Sequence, residues 1–235
     1  MPDSCHGKKV WHLRTMCGII DDRRKGAMCV MSKTVVIGLT GPTGAGKSVL
    51  RPVFEEYGCR FADCDHLARA AVEPGAPALV KLADAFGSDI IRADGSLDRA
   101  LLAQRAFPTP EGRATLNGIV HPAVFDLLED IISKAEGENA AGVVIDAPLL
   151  FESKLDRRCD TVIAVIAPEE MRLERIMERD GLSEDAARLR MSAQHDSAFY
   201  SGQADHTLVN DGSIDSLLDS ARHLLSKITG KGDLL

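Results

Sequence analysis

The segment VVIGLTGPTGAGKSVL, residues 35 to 50, limits the fold of this chain more than any other stretch. An apolar run of strand type leads into Gly41-Pro-Thr-Gly-Ala-Gly-Lys-Ser48, which matches G-x-x-x-x-G-K-[ST], and a helical stretch follows. The glycines let the backbone turn so tightly that successive N–H groups converge on phosphate oxygens. The N-terminus of the next helix adds partial positive charge at the same place. Lys47 then supplies a point charge to the β and γ phosphates, and Ser48 a hydroxyl to Mg²⁺. A glycine-rich turn that acquired Lys-Ser by chance has no reason to sit between such a strand and such a helix.

A loop of this kind belongs to an α/β chain, and the pattern from Thr34 onward agrees. Short β-branched runs alternate with longer helical stretches at 34 to 40, 59 to 64, 142 to 147, 160 to 167 and 206 to 210. Most of these runs are continuously apolar, as parallel strands buried on both faces must be. The expected architecture is a three-layer P-loop NTPase fold with a parallel five-stranded sheet. Between the second and third strands lie about 75 residues, far more than a crossover requires. They carry helical patterns near 66 to 72, 76 to 86, 97 to 106 and 111 to 135, so a substrate-binding helical insertion is expected at about 66 to 138. A second helical stretch, PEEMRLERIMERDGLSEDAARLRMSAQ, breaks at Asp180-Gly181 and restarts at the cap residue Ser183. It is expected to form a lid within about 168 to 200.

Residues 1 to 33 lack periodicity, and charges interrupt every apolar run. A disordered extension, or an early start codon ahead of Met28 and Met31, is the expectation; Asp21 and Asp22 disfavour a targeting peptide. The net charge of −7 argues against a protein that coats nucleic acid, which would need a basic excess. No apolar run is long enough for a membrane span. Cys5, Cys17, Cys29, Cys59, Cys64 and Cys159 form no C-x-x-C pair, so reduced thiols in a cytoplasmic protein are expected rather than zinc.

The loop holds a triphosphate, and the remaining question is what receives the terminal phosphoryl group. An N-K-x-D guanine reader is missing, since Asn117, Asn139 and Asn210 are followed by the wrong residues. A small-molecule kinase therefore leads. Asp63-Cys-Asp65 ends the second strand, where ligands of open α/β sheets collect, and a kinase needs a carboxylate to orient the acceptor hydroxyl and take its proton. Strand alternation would send the two carboxylates to opposite sides if the strand continues. Equally, an aspartate here can cap a helix that starts near His66. Asp146 ends the apolar run GVVID, a position from which such folds reach Mg²⁺. Arg172, Arg175 and Arg179 share a helix face, which serves either as a salt-bridged surface or as a lid closing over phosphates.

Taken together, IGLTGPTGAGKS, DCDHLAR, AFGSDI, DGSLDRALL, IVHPAV, DAPLLFE, RLERIMERDGLS, Gln194 and ADHTLVNDGS resemble the dephospho-CoA kinase family from about residue 34 to the C-terminus. That resemblance implies an ATP- and Mg²⁺-dependent enzyme that phosphorylates the ribose 3′-hydroxyl of dephospho-CoA, the final step of CoA biosynthesis. It implies Asp65 as the acceptor-orienting base, supported by Asp63, with Lys47 and a lid arginine, Arg175, on the phosphates. Gly44, Ala45, Gly46, Lys47, Ser48, Val49 and Asn210 would bind ATP, and Ser48 and Asp146 the metal. His66, Arg69, Arg99 and His121 would belong to the dephospho-CoA module. Two departures stand out: Cys64 replaces the usual Ala between the aspartates, and HDSAFYSGQAD lacks the basic residues common before Ala-Asp. Partners are then ATP and dephospho-CoA, without nucleic acid or membrane, in a monomer or small homo-oligomer. A nucleoside kinase of similar architecture and a non-catalytic nucleotide-dependent module are the competing readings.

Overall fold

The computed structural model describes residues 34–230, so the expectation for residues 1 to 33 lies outside the described residues. Five parallel strands run β1 (Val35–Thr40), β2 (Cys59–Asp63), β3 (Gly142–Asp146), β4 (Thr161–Ile166) and β5 (His206–Val209), in the spatial order β2-β3-β1-β4-β5. All five expected strands are present. β1 lies at the centre, and the phosphate loop leaves its C-terminal end between β3 and β4.

Both faces of the sheet are buried, which explains the uninterrupted apolar runs. On one face Val36, Val143, Ile145 and Val162 pack against the helical insertion. On the other, Ile37, Leu39, Val144, Ile163 and Val165 pack with Val53 and Phe54 of α1 (Arg51–Glu56) and with Leu217, Ala221 and Leu225 further on. These last three recur every four residues on the C-terminal helix, which places one stripe against the sheet.

The insertion contains α2 (Cys64–Ala70), α3 (Pro77–Phe86), α4 (Arg99–Ala106) and α5 (Pro110–Gly137). Their starts are decided by capping. Asp63 accepts from the His66 N–H, Asp98 from the Leu101 N–H, and Thr109 from the Gly112 N–H. The helix expected from residue 66 therefore begins two positions earlier, because Asp63 is its cap.

The second helical stretch forms α6 (Glu169–Asp180) and α7 (Glu184–Ser192), separated by Gly181 at φ 65° and capped by Ser183, as the sequence pattern implied. Leu173, Ile176, Ala187 and Met191 make a small core of their own between the two. A short helix, α8 (Ser197–Gln203), lies partly within the stretch expected to be lid, yet it buries Tyr200 completely. The chain closes with α9 (Ile214–Thr229). Among the described residues no helix is long and apolar enough to cross a membrane.

Candidate active site

The phosphate loop surrounds one side of a cavity of about 660 Å³ at the C-terminal edge of the sheet. Gly44 and Gly46 adopt φ of 78° and 97°, a region open to glycine and strained for other residues. Lys47 Nζ donates to the Gly41 carbonyl at 2.6 Å and the Pro42 carbonyl at 3.4 Å, so its charge is held over the loop by the loop itself. Burial pulls the Lys47 ammonium below its usual range; nearby Asp146 opposes this, and Arg172 and Arg179 add to it. A desolvated ammonium beside two guanidinium groups favours an anion between them. Ser48 is exposed to the same cavity, and Val49 lines it.

Asp63, Asp65 and Asp146 also line this cavity. The expectation that the first two point to opposite sides depended on a continuing strand, and the strand stops at Asp63. Helix α2 starts at Cys64, so the chain turns and both carboxylates reach the same space. The capping reading holds for Asp63, whose side chain accepts from the His66 N–H, and Asp65 lies in the first turn of the helix it caps. Burial pushes the Asp146 carboxyl up; Lys47 opposes that shift, while Asp63 and Asp65 reinforce it.

These groups suit Mg²⁺, a hard cation that keeps several waters and takes one or two carboxylates with substrate phosphate oxygens. Asp146 and the Ser48 hydroxyl are oxygen donors, and the repulsion among the three carboxylates is what a cation would relieve. Among the described residues there is no cluster of three or more His, Cys, Asp or Glu arranged to hold a metal by themselves.

A second cavity, of about 530 Å³, opens on the other side of Asp65. Its walls are mainly apolar and come from the insertion and from the loop after β3, with Leu102, Val124, Phe125 and Leu149 among them. Arg99 and His121 supply polar groups, and burial lowers the His121 pKa, which keeps the imidazole neutral near pH 7. Among the described residues only Asp65 and Pro148 line both cavities. His66 and Arg69, by contrast, are exposed on α2 and line neither.

The arginine face of α6 is divided in its duties. Arg172 is only 5% exposed, and its Nε donates to the Thr43 carbonyl at 2.9 Å. Arg175 donates to the Gly44 carbonyl and to Asn210 Oδ1, both at 3.3 Å, and lines the phosphate cavity. Arg179 also lines that cavity but makes a two-toothed ion pair with Asp180. Asn210 is buried, and its Nδ2 donates to the Ala45 carbonyl at 2.8 Å. Its amide is therefore engaged by the phosphate loop and Arg175. The part played by Arg172 was hidden in sequence, because a buried arginine and an exposed one leave the same trace on a charged helix. Gln194, which accepts from the Thr43 N–H at 2.7 Å, carried no chemical signal of its own.

The sequence and the fold correspond to a known family. The profile of the dephospho-CoA kinase family matches residues 35–216. A dephospho-CoA kinase of Syntrophotalea carbinolica is 39% identical over 83% of this chain and 92% of its own length. One from Mycobacterium bovis is 45% identical over 79% of this chain and 45% of that longer protein. Among solved structures, a Thermus thermophilus protein shares 33% identity with a TM-score of 0.69, covering 83% of this chain and 97% of that one. The Campylobacter jejuni dephospho-CoA kinase shares 25% identity with a TM-score of 0.62 over the same shares of the two chains. This chain belongs to the dephospho-CoA kinase family.

Proposed function

We propose that the protein transfers the γ-phosphoryl group of ATP to the ribose 3′-hydroxyl of dephospho-CoA, with Asp65 as the base that orients the acceptor. The observation that carries this reading is the position of Asp65, shared between the phosphate-loop cavity and the apolar cavity of the insertion. An acceptor bound in the second cavity presents its hydroxyl toward the first only past Asp65 and Pro148. In that geometry the hydroxyl oxygen attacks the γ phosphorus in line, the bond to the β-bridging oxygen breaks, and the hydroxyl proton passes to Asp65. ADP leaves with the electron pair of the broken bond.

Lys47 offsets charge on the β and γ phosphates, and Arg175 can exchange its two long hydrogen bonds for phosphate oxygens. Ser48 and Asp146 would hold Mg²⁺, with Asp63 nearby; when bound, the ion neutralises phosphate charge. The backbone of residues 44 to 49 cradles the phosphates, and Asn210, which lines the same cavity, braces that loop at the Ala45 carbonyl beside the bound ATP. Arg99 and His121 bind the acceptor, whereas His66 and Arg69 take part only where the substrate extends beyond the cavity. Cys64 and Cys159 are free thiols, which fits a cytoplasmic enzyme. A monomer or small homo-oligomer is the expected form, to be measured by light scattering.

The reading is tested by ADP release with ATP and Mg²⁺, with and without dephospho-CoA. ADP appearing at a catalytic rate only with dephospho-CoA supports it. Turnover with nucleosides instead, or tight ATP binding without turnover on any acceptor, would replace it with one of the two rivals.

A further inference from the structure

Two side chains that take no part in bond making meet on one residue of the phosphate loop, one on each of its flanking peptide groups. The Thr43 N–H donates to Gln194 Oε1 at 2.7 Å, and the Thr43 carbonyl accepts from Arg172 Nε at 2.9 Å. Arg172 lies in the first turn of α6, and Gln194 follows the last turn of α7. Both roots of the helical hairpin therefore grip the same residue. Contact at the first root extends to the backbone, since a Cβ built on Gly44 would lie 2.7 Å from the Arg172 carbonyl oxygen. The start of α6 is thus a fixed abutment of the loop, and any lid motion belongs to the hairpin beyond it.

The neighbour of Gln194 reaches the loop after β3. His195 stacks on Phe199 with ring centroids 3.6 Å apart, and its Nε2 lies 3.5 Å from Glu152 Oε1. Glu152 sits between Leu149 and Ser153, both of which line the apolar cavity. One dipeptide, Gln194-His195, hence touches the donor loop with its first side chain and the acceptor-side loop with its second.

We infer that Gln194 is a positioning residue for phosphoryl transfer, holding the Thr43 peptide so that the N–H groups after it stay aimed into the phosphate cavity. A loop whose orientation is set before the nucleotide arrives spends less binding energy on ordering itself. Gln194 would do this without touching the reacting atoms. The inference rests on ATP being the ligand of this loop, and its test separates the two ideas.

Gln194→Met keeps length and volume but removes the amide acceptor. In the ligand-free protein, Thr43 amide exchange followed by NMR should accelerate about tenfold, the size expected for one hydrogen bond, while the amides of Ile37 and Leu39 hold their rates. ATP affinity measured by calorimetry should fall about 3- to 10-fold, with the KM for dephospho-CoA within about twofold of wild type. Unchanged Thr43 exchange would overturn the inference even if ATP affinity fell, because Gln194 would then act by direct contact with the nucleotide. Faster exchange with unaltered ATP affinity, or equal losses for both substrates together with faster exchange in β1, would overturn it as well. Failure of the wild type to phosphorylate dephospho-CoA would instead strike the proposed acceptor, leaving the Thr43 exchange result standing.

Discussion

Asp63 and Asp146 are register partners at the C-terminal ends of the adjacent parallel strands β2 and β3, so two carboxylates stand side by side in the phosphate-loop cavity. Register partners on neighbouring parallel strands project to the same face of the sheet. Asp63 offsets its charge by accepting from the His66 N–H at 3.0 Å. Asp146 is the more buried of the two, and burial with the neighbouring aspartates holds its carboxyl above the usual range in spite of Lys47.

Asp146→Asn should therefore leave the melting temperature of the ligand-free protein unchanged or raise it, because it removes a repulsion. The Mg²⁺ concentration needed for half-maximal turnover should rise about tenfold or more. Calorimetry and a Mg²⁺ titration of activity check the two halves, and a sharp drop in melting temperature would show that Asp146 is structural.

Asp65→Asn keeps the shape of the junction between the cavities and removes the proton acceptor. Turnover should fall about 10²- to 10⁴-fold with ATP affinity little altered. Steady-state kinetics beside calorimetric ATP binding would show it, and wild-type turnover would remove Asp65 from the role of base.

Gly44→Ala meets an obstacle that cannot move aside. The φ of 78° disfavours any side chain, and the nearest atoms to the new Cβ are the backbone of Arg172 at 2.7 and 3.0 Å. A loss of about 1–3 kcal/mol in stability is expected from the strain, with weakened ATP binding. Urea unfolding with and without ATP measures both.

Cys64 lies between the two aspartates and lines the apolar cavity, so its labelling reports on the acceptor site. Burial, with Asp146, Asp63 and Asp65 behind it, pushes the thiol up to about 12. At pH 8 its alkylation by iodoacetamide should be on the order of 10³-fold slower than that of an ordinary thiol with a pKa of about 8.5. Mass spectrometry would follow the rate, and fast labelling at Cys64 would contradict this environment.

His121 should titrate below the ordinary histidine value of 6.5, since burial disfavours the imidazolium. A histidine with a depressed pKa binds fewer protons folded than unfolded between the two pKa values. Its contribution to stability is therefore present above the unfolded pKa and is lost as the pH falls through the folded one. NMR titration of the ring protons gives the midpoint, and a value above 6.5 would place His121 beside an unrecognised anion.

The donor half of the site was legible in the sequence because it is local. Strand, loop and helix follow one another from Val35, and Gly44, Gly46, Lys47 and Ser48 carry their conformational and charge requirements in their own identities. The five strands were legible for a related reason, since burial on both faces writes itself as unbroken apolar runs. Alternation alone misled at Asp65, where a cap at Asp63 turned the chain and brought both carboxylates into one cavity.

Arg172, Gln194 and Asn210 belong to the other category. Each holds a backbone group of the phosphate loop from more than a hundred residues away, at Thr43, Thr43 and Ala45 respectively. By itself the sequence determined the conformation of the glycine-rich loop and which strands build the sheet, because those properties depend on neighbours along the chain. Only the tertiary structure decided which polar side chains stand behind the loop and which carboxylate joins the two cavities. Those contacts arise because β4 and β5 pair in sequence on one side of β1, so the segments that follow them come back to the phosphate loop, and no spacing in the sequence encodes where that return brings a side chain.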